Sequence, residues 1–123
     1  MRRFPKGRRA RRPDDNRFLP KDVQAWRALI RAARYQARAP EAKPDALRTA
    51  ASRAARAVPP KGEGHKGSVF LQLVMAGRDY WRVLPEAKAE AASRLGELAR
   101  ACAAVLDAPP PPPPGQGRAD LYG

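Results

Sequence analysis

Four stretches of the chain repeat apolar residues at three- and four-residue spacing, which places their side chains on one face of an α-helix. The predicted helices span 21–39, 45–58, 68–84 and 86–107. In the first helix the apolar stripe consists of Val23, Trp26, Ile30, Ala33 and Ala37. A row of arginines follows the edge of that stripe at the same spacing: Arg27, Arg31, Arg34 and Arg38. The pattern predicts an all-α protein, a three- to four-helix bundle over residues 20–107.

The later helices have apolar faces of their own. These are Leu47, Ala51, Ala54 and Val58 in the second; Phe70, Leu73, Val74, Gly77, Tyr80, Trp81 and Leu84 in the third; and Ala87, Ala91, Leu95, Leu98, Cys102 and Val105 in the fourth. Ser68 is a suitable N-cap for the third helix. Gly77 lowers helix propensity there by about 1 kcal/mol. It either lets another helix or a ligand chain approach closely, or is tolerated there without a role. Because alanine buries little area, we expect the isolated bundle to be marginally stable.

Both ends of the chain are predicted to lie outside the bundle. Residues 1–19 form a basic N-terminal arm that is disordered or extended on its own, because glycine and prolines interrupt it. Residues 108–123 form an extended, Pro-rich C-terminal tail. Its run of prolines from Pro109 to Pro114 favours a polyproline II rod of about 19 Å. Such a rod fits a stiff spacer better than a ligand for an aromatic groove.

The formal net charge of +13 favours a polyanionic partner: nucleic acid, an acidic protein or an anionic membrane surface. Arginine supplies 19 of the 25 basic residues and alanine is abundant, a composition that GC-rich coding also produces. The candidate RNA-binding residues of the arm are Arg2, Arg3, Lys6, Arg8, Arg9, Arg11, Arg12 and Arg17. The alternatives are a solvated tail or a targeting signal. The absence of serine and of an amphipathic pattern in MRRFPKGRRARR favours an arm that is retained.

Residues that carry catalytic or metal chemistry are sparse. Cys102 is the only cysteine, which rules out an internal disulfide and favours a reducing compartment. His65 lies in a glycine-rich loop without other ligands at metal-binding spacing. There is no Gly-rich phosphate loop and no nucleophile elbow. We therefore expect a protein that is not an enzyme, with no metal or cofactor of its own and no integral membrane segment.

Three segments follow one another as they do in a known family. Residues 25–34 read AWRALIRAAR, which is similar to Leu-Tyr-Arg-x-Leu-Leu-Arg near the start of a first helix. Residues 45–48 read DALR, with Arg53 and Arg56 following, and are similar to that family's second helix. Residues 76–84 are similar to the Gly-Arg-x-x-Leu-x-x-Leu end of its third. Over about residues 20–84 the chain resembles the LYR-motif (complex I LYR-like) family of small mitochondrial helical proteins.

The resemblance is incomplete, and its implications are specific. Ala25 stands for the leading Leu, Trp26 stands for Tyr, and the Phe often found after the second helix is absent. The family implies a protein of the mitochondrial matrix that docks acyl carrier protein. It implies that Arg27, Arg31 and Arg34 contact the acidic surface of the carrier. It also implies that Trp26 and Leu29 line a slot for the carrier's acyl-phosphopantetheine chain.

Two functions fit these observations. The first is a non-catalytic structural subunit of a large mitochondrial assembly, with the mitochondrial ribosome favoured. In that assembly the LYR-like bundle docks acyl carrier protein and the basic tails contact rRNA. The second is a LYR-type accessory subunit or assembly factor of a respiratory complex (complex I) that binds the carrier without RNA. A weaker third is a free nucleic-acid or membrane-surface binder.

Overall fold

The structure of the protein is a computed structural model that describes residues 18–108. Its four α-helices are α1 (Pro20–Arg38), α2 (Asp45–Ala55), α3 (Val69–Asp79) and α4 (Lys88–Asp107). Two 3₁₀ turns, Tyr80–Arg82 and Pro85–Ala87, connect α3 to α4. The described residues contain no strand, and the predicted all-α helical bundle is confirmed. Residues 1–17 of the predicted arm and 109–123 of the predicted tail lie outside the described part of the chain.

The four helices form an up-down-up-down bundle. Helices α1 and α3 each pack against both α2 and α4, which closes a ring. Arg27, in the first half of α1, bonds to Asp107 at the end of α4. Trp26 bonds to Val58, just after the end of α2. Gly77, near the end of α3, lies beside Leu47, near the start of α2, and beside Ala51. Neighbouring helices are therefore antiparallel, as in other bundles with short connections.

A few large side chains and many alanines fill the core. Trp26 is 1% exposed and meets Phe70 edge to face, with ring centroids 5.1 Å apart. A Cβ atom at Gly77 would lie 3.2 Å from the Cβ of Ala51 and 3.3 Å from a methyl of Leu47. Gly77 therefore allows α2 and α3 to approach closely, the first of the two roles considered for it.

Helices α2 and α3 end earlier than predicted. Helix α2 stops at Ala55, because Val58 precedes a proline, which disfavours the helical conformation. Helix α3 stops at Asp79 and tightens into a 3₁₀ turn ahead of Pro85. With three residues per turn instead of 3.6, the 3₁₀ turn rotates Trp81 off the apolar face, and the extended backbone at Val83 and Leu84 takes Leu84 away from it. Trp81 and Leu84 are 51% and 62% exposed, so the prediction that they belong to the buried face is wrong.

The buried faces of α1 and α4 are wider than predicted. In α1, Ala25 and Leu29 are buried, while Val23 and Ala37 are half-buried at the edges. Helix α4 begins at Lys88, after the turn that Pro85 starts, rather than at residue 86. Its buried residues are Ala92, Leu95, Leu98, Ala99, Cys102 and Ala103. Of the predicted apolar face of the fourth helix, Val105 is 37% exposed, and Ala87 and Ala91 are half-buried. Each helix touches two neighbours in the ring and so buries a broader arc than the apolar face predicted from the spacing.

Candidate functional site: an arginine face on helices α1 and α2

The positive charge of the bundle lies almost entirely in its first half. Residues 18–58, which contain α1 and α2, have nine basic and three acidic residues, a net charge of +6. Residues 59–108, which contain α3 and α4, have seven basic and six acidic residues, a net charge of +1. The two halves contain similar numbers of residues, so the difference in net charge does not come from a difference in length.

The spacing of the α1 arginines places them along the outside of that helix. Arg31, Arg34 and Arg38 are exposed, and Arg27 is half-buried at the edge facing α4. The only acid of α1 is Asp22, which is 4% exposed. Its carboxylate accepts hydrogen bonds from the backbone N–H groups of Leu19 (2.9 Å) and Val58 (3.1 Å). The Asp22 carboxylate thus stabilises the fold through backbone hydrogen bonds. The arginine row therefore has no exposed counter-ion within its own helix.

One of these arginines has a partner inside the bundle. Arg27 donates to Asp107 over 2.7 Å, with the two side chains 40% and 62% exposed. Solvent screening limits such exposed pairs to about 1 kcal/mol or less, so an external carboxylate or phosphate can replace Asp107. Within residues 18–108, Arg31, Arg34, Arg38 and Arg53 have no carboxylate oxygen within 4.0 Å.

Helix α2 adds an arginine to the row. Arg27, Arg31 and Arg53 line a shallow groove of about 360 Å³, with Val23 and Gln24. We call the surface formed by Arg27, Arg31, Arg34, Arg38 and Arg53 the arginine face. The structure brings Arg27 and Arg31 together with Arg53, whereas Arg34 lies one turn further along α1, outside this groove.

An apolar groove runs beside the arginine face. Its volume is about 460 Å³, and it is lined by Ala28, Ala32, Asp45, Ala46, Thr49, Ala50 and Arg53. We call it the alanine groove. Arg53 lines both grooves, so a ligand in one contacts the edge of the other. Small apolar residues next to guanidinium groups suit an amphipathic helix with carboxylates along one side.

Trp26 and Leu29, the residues expected to line an acyl slot, lie in the packed core. They are 1% and 0% exposed, and the indole Nε1 of Trp26 donates to the backbone oxygen of Val58 over 3.0 Å. Neither residue lines the two grooves described above. An acyl chain that reached them would have to displace core side chains.

Two titratable side chains of the core, Cys102 and Tyr80, have raised pKa values. Burial raises the pKa of the Cys102 thiol to about 12, with a smaller contribution from Glu63. The thiol is therefore protonated at neutral pH and is a poor nucleophile. Burial also raises the pKa of Tyr80, whose hydroxyl donates to the backbone oxygen of Pro40 over 2.9 Å. His65 is exposed in its loop.

The described residues contain neither a metal-binding cluster nor a membrane-spanning helix. No three His, Cys, Asp or Glu side chains between residues 18 and 108 lie close enough to hold a metal ion. None of the four described helices is both long and apolar enough to cross a membrane. The eight candidate RNA-binding residues of the arm lie in residues 1–17, outside the described part of the chain, and their role stays a prediction.

A cluster of Trp81 with Arg48 and Arg82 was not predicted from the sequence. Trp81, expected in the core, lies on the surface with the guanidinium of Arg48 over its ring, 5.0 Å from the centroid. Arg82 lies 5.7 Å from the same centroid. Pro85 was the available signal, because it disfavours a regular helix through residue 84.

Comparison of this chain with protein-family models, curated proteins and solved structures finds no match in any of the three. The described residues define a four-helix bundle with one strongly cationic half. Its similarity to the LYR-motif family stays a prediction from the sequence.

Proposed function

We propose that this chain is a non-catalytic binding subunit and that its arginine face docks an acidic partner. The observation that carries the proposal is the charge distribution, +6 on residues 18–58 against +1 on residues 59–108. Like charges three and four residues apart destabilise a helix by a few tenths of a kcal/mol per pair. An anionic partner bound along α1 would attract these arginines and offset their mutual repulsion. A partner of this kind therefore accounts for the row of arginines on α1.

The assembly we propose is a large one in the mitochondrial matrix, the mitochondrial ribosome in the first place. Two separate basic regions support this: the arm, with eight basic and two acidic residues in positions 1–17, and the arginine face. Two such regions suit a peripheral subunit that contacts more than one anionic surface. In this proposal the arm neutralises rRNA phosphates, releasing their counter-ions. The arginine face remains available to a protein.

For the arginine face we propose acyl carrier protein, following the similarity to the LYR-motif family. An acidic helix of the carrier would place its carboxylates on Arg27, Arg31 and Arg53, and its apolar side on the alanine groove. Arg34 would extend the same contact along α1. Entry of an acyl-phosphopantetheine chain would require the core around Trp26 and Leu29 to open, so surface docking is the better supported part of the proposal.

The second candidate is an accessory subunit or assembly factor of a respiratory complex that binds the carrier without RNA. The alanine groove supports this candidate as well as the first, because in both an acidic helix of the carrier would place its apolar side there. In this case the basic arm serves as a targeting signal or a surface tether.

A double charge reversal tests the docking face. In the full chain, Arg31→Glu with Arg34→Glu removes two exposed cations that have no internal partner, and leaves the Arg27–Asp107 pair in place. We expect binding to acyl carrier protein, measured by titration calorimetry, to weaken by about 100-fold, since charge-assisted hydrogen bonds contribute about 1.5–3 kcal/mol each. Helicity by circular dichroism should not change.

The matched control reverses two exposed cations outside the arginine face, Lys66→Glu with Arg100→Glu. It alters the net charge equally but leaves the arginine face intact, so carrier affinity should stay within about threefold, the effect of long-range charge alone. Equal losses in both double variants would show that net charge, and not this face, governs binding. Unchanged affinity in the α1 variant would rule out the site.

Affinity purification of the tagged chain from mitochondria, followed by mass spectrometry, separates the two candidates. Ribosomal proteins together with the carrier support the first function. Respiratory-complex subunits with the carrier support the second. A rise in ionic strength should release rRNA contacts steeply, whereas attachment through helix packing should persist.

A further inference from the structure

Trp81 is an exposed aromatic side chain in cationic surroundings. It lies in the 3₁₀ turn after α3 and is 51% exposed. The guanidinium carbons of Arg48, from α2, and Arg82 lie 5.0 Å and 5.7 Å from the centroid of its ring. The fold does not need this arrangement, because the tryptophan that fills the core is Trp26.

A small polar groove adjoins the ring. It measures about 270 Å³ and is lined by Arg48, Ser52, Arg78, Asp79 and Trp81. With Arg82 beside it, the cluster has three guanidinium groups and one carboxylate. The Asp79 carboxylate lies 3.9 Å from Arg82, and both side chains are more than 60% exposed. That contact is long and solvent-screened, so Arg82 is available to another anion.

A guanidinium resting on an exposed indole is a weak and replaceable contact. A nucleobase stacks more strongly on an aromatic ring and does so whatever its identity, because every base has a π-face. Proteins that bind single-stranded nucleic acid combine such aromatic platforms with arginines that follow the backbone phosphates. The Trp81 cluster has both components within one groove.

We propose that Trp81 is a stacking platform for an unpaired base of RNA, with Arg48, Arg78 and Arg82 holding the flanking phosphates. This inference rests on the proposed contact with RNA, and extends that contact from the arm to the folded bundle. Ser52 offers a hydroxyl to the sugar or the phosphate, and Asp79 disfavours phosphate on its own side of the groove.

A protein partner fits the cluster less well. Tryptophans that anchor protein interfaces usually lie in well-packed, desolvated pockets. Here every other residue that lines the groove is charged or polar. A flat aromatic surface surrounded by guanidinium groups is complementary to a base with its phosphates.

The test measures binding of the full chain to fluorescently labelled single-stranded poly(A) RNA by anisotropy. Salt is set high enough to suppress the contribution of the arm, because stacking persists when phosphate contacts are screened. Trp81→Leu keeps an apolar side chain and removes the stacking ring, so we expect affinity to fall about tenfold. Trp81→Phe retains a ring and should retain most of the affinity.

Tyr35→Leu is the matched control, since Tyr35 is 56% exposed on α1, away from this groove. Its affinity should equal that of the wild type. Tryptophan fluorescence gives a second readout: RNA should quench the exposed Trp81 and leave the buried Trp26 emitting, so the quenching should disappear in Trp81→Phe.

The outcomes separate this inference from the proposed function. RNA binding by the wild type with no loss in Trp81→Leu would overturn the stacking site and leave the proposed RNA contact intact. Equal losses in Trp81→Leu and Tyr35→Leu would also overturn the site. No RNA binding by the wild type would overturn both. If Trp81→Leu lost only a protein from the purified assembly, the cluster would be a protein contact and the inference wrong.

Discussion

Ser68 shows how one side chain orders both the loop before a helix and the helix itself. It is 2% exposed, and its hydroxyl oxygen accepts a hydrogen bond from the backbone N–H of Phe70 over 3.1 Å. The same hydroxyl donates to a carboxylate oxygen of Glu63 over 2.8 Å. One hydroxyl thus caps α3 and ties the preceding loop to it.

We expect Ser68→Ala to lower the free energy of unfolding by about 1–2 kcal/mol. The substitution removes the cap of α3, typically about 1 kcal/mol, and leaves the partly buried carboxylate of Glu63 without its donor. Urea unfolding followed by circular dichroism measures the change. Glu63→Gln is the control: its amide oxygen still accepts from the hydroxyl, so the loss should be smaller. A fully stable Ser68→Ala variant would contradict this role.

Local patterns predicted the cap but not the distant polar partners. Ser68 precedes an apolar run, and that position marks it as a cap. Nothing in the neighbourhood of Asp22 or Trp26 indicates that both bond to the backbone of Val58, more than 30 residues away. Those bonds depend on how the start of α1 meets the end of α2, which one helix's sequence does not encode.

At the scale of elements, two glycines lie where helices approach each other. A Cβ at Gly77 would meet three side chains, the nearest being the Cβ of Ala51 at 3.2 Å. A Cβ at Gly96 would meet only the Cβ of Ala37, at 3.3 Å. Ala51 is fully buried, whereas Ala37 lies at the edge of the α1–α4 contact. The two positions therefore differ in how much space the bundle can make.

We expect Gly77→Ala to destabilise the bundle by about 1 kcal/mol and Gly96→Ala to be neutral or stabilising. Each substitution gains about 1 kcal/mol of helix propensity. At Gly77, overpacking costs about 1–3 kcal/mol, because an alanine methyl has no rotamer through which to move aside. Thermal unfolding of both variants measures the difference. Equal melting temperatures would show that α2 and α3 adjust their separation freely.

Periodicity predicted all four helices because each one has a continuous apolar face. It did not predict where α2 and α3 end, because prolines and side-chain hydrogen bonds determine those positions. Helix α2 stops ahead of Pro59, where the backbone of Val58 bonds to side chains of α1 instead of continuing the helix, and α3 tightens ahead of Pro85. The wrong positions of Trp81 and Leu84 follow from that early end of α3, because both were extrapolated from a regular helix.

At the scale of the whole described bundle, the positive charge is concentrated on the half that contains α1 and α2. Helix α4 has three basic and three acidic residues, and α1 has five basic residues and one acid that is buried. Spacing along α1 predicted Arg27 and Arg31 as members of the candidate site. The contribution of Arg53 depends on how α2 packs beside α1, and spacing within one helix does not specify it.

Because the arginines of α1 repel one another, we expect a substitution that weakens the arginine face to raise the free energy of unfolding. Arg34→Glu places a carboxylate three residues from Arg31 and four from Arg38, replacing two repulsive pairs with attractive ones. The free energy of unfolding should rise by about 0.5 kcal/mol at low salt, and the gain should shrink as salt screens the charges. Chemical denaturation at two salt concentrations measures it. A loss of stability would mean that Arg34 has a structural role.

The connection between α2 and α3, residues 56–68, is the longest in the described chain, and both of its ends are bonded to neighbouring helices. Its early part bonds to α1 through Val58, and its last part caps α3 through Ser68. Between them lie two prolines with restricted backbone rotation, one of them buried, and the backbone N–H of Glu63 bonds to the oxygen of Pro60. Closing this connection therefore costs less conformational entropy than closing a free loop of the same length, because only the stretch between these anchors is left to order.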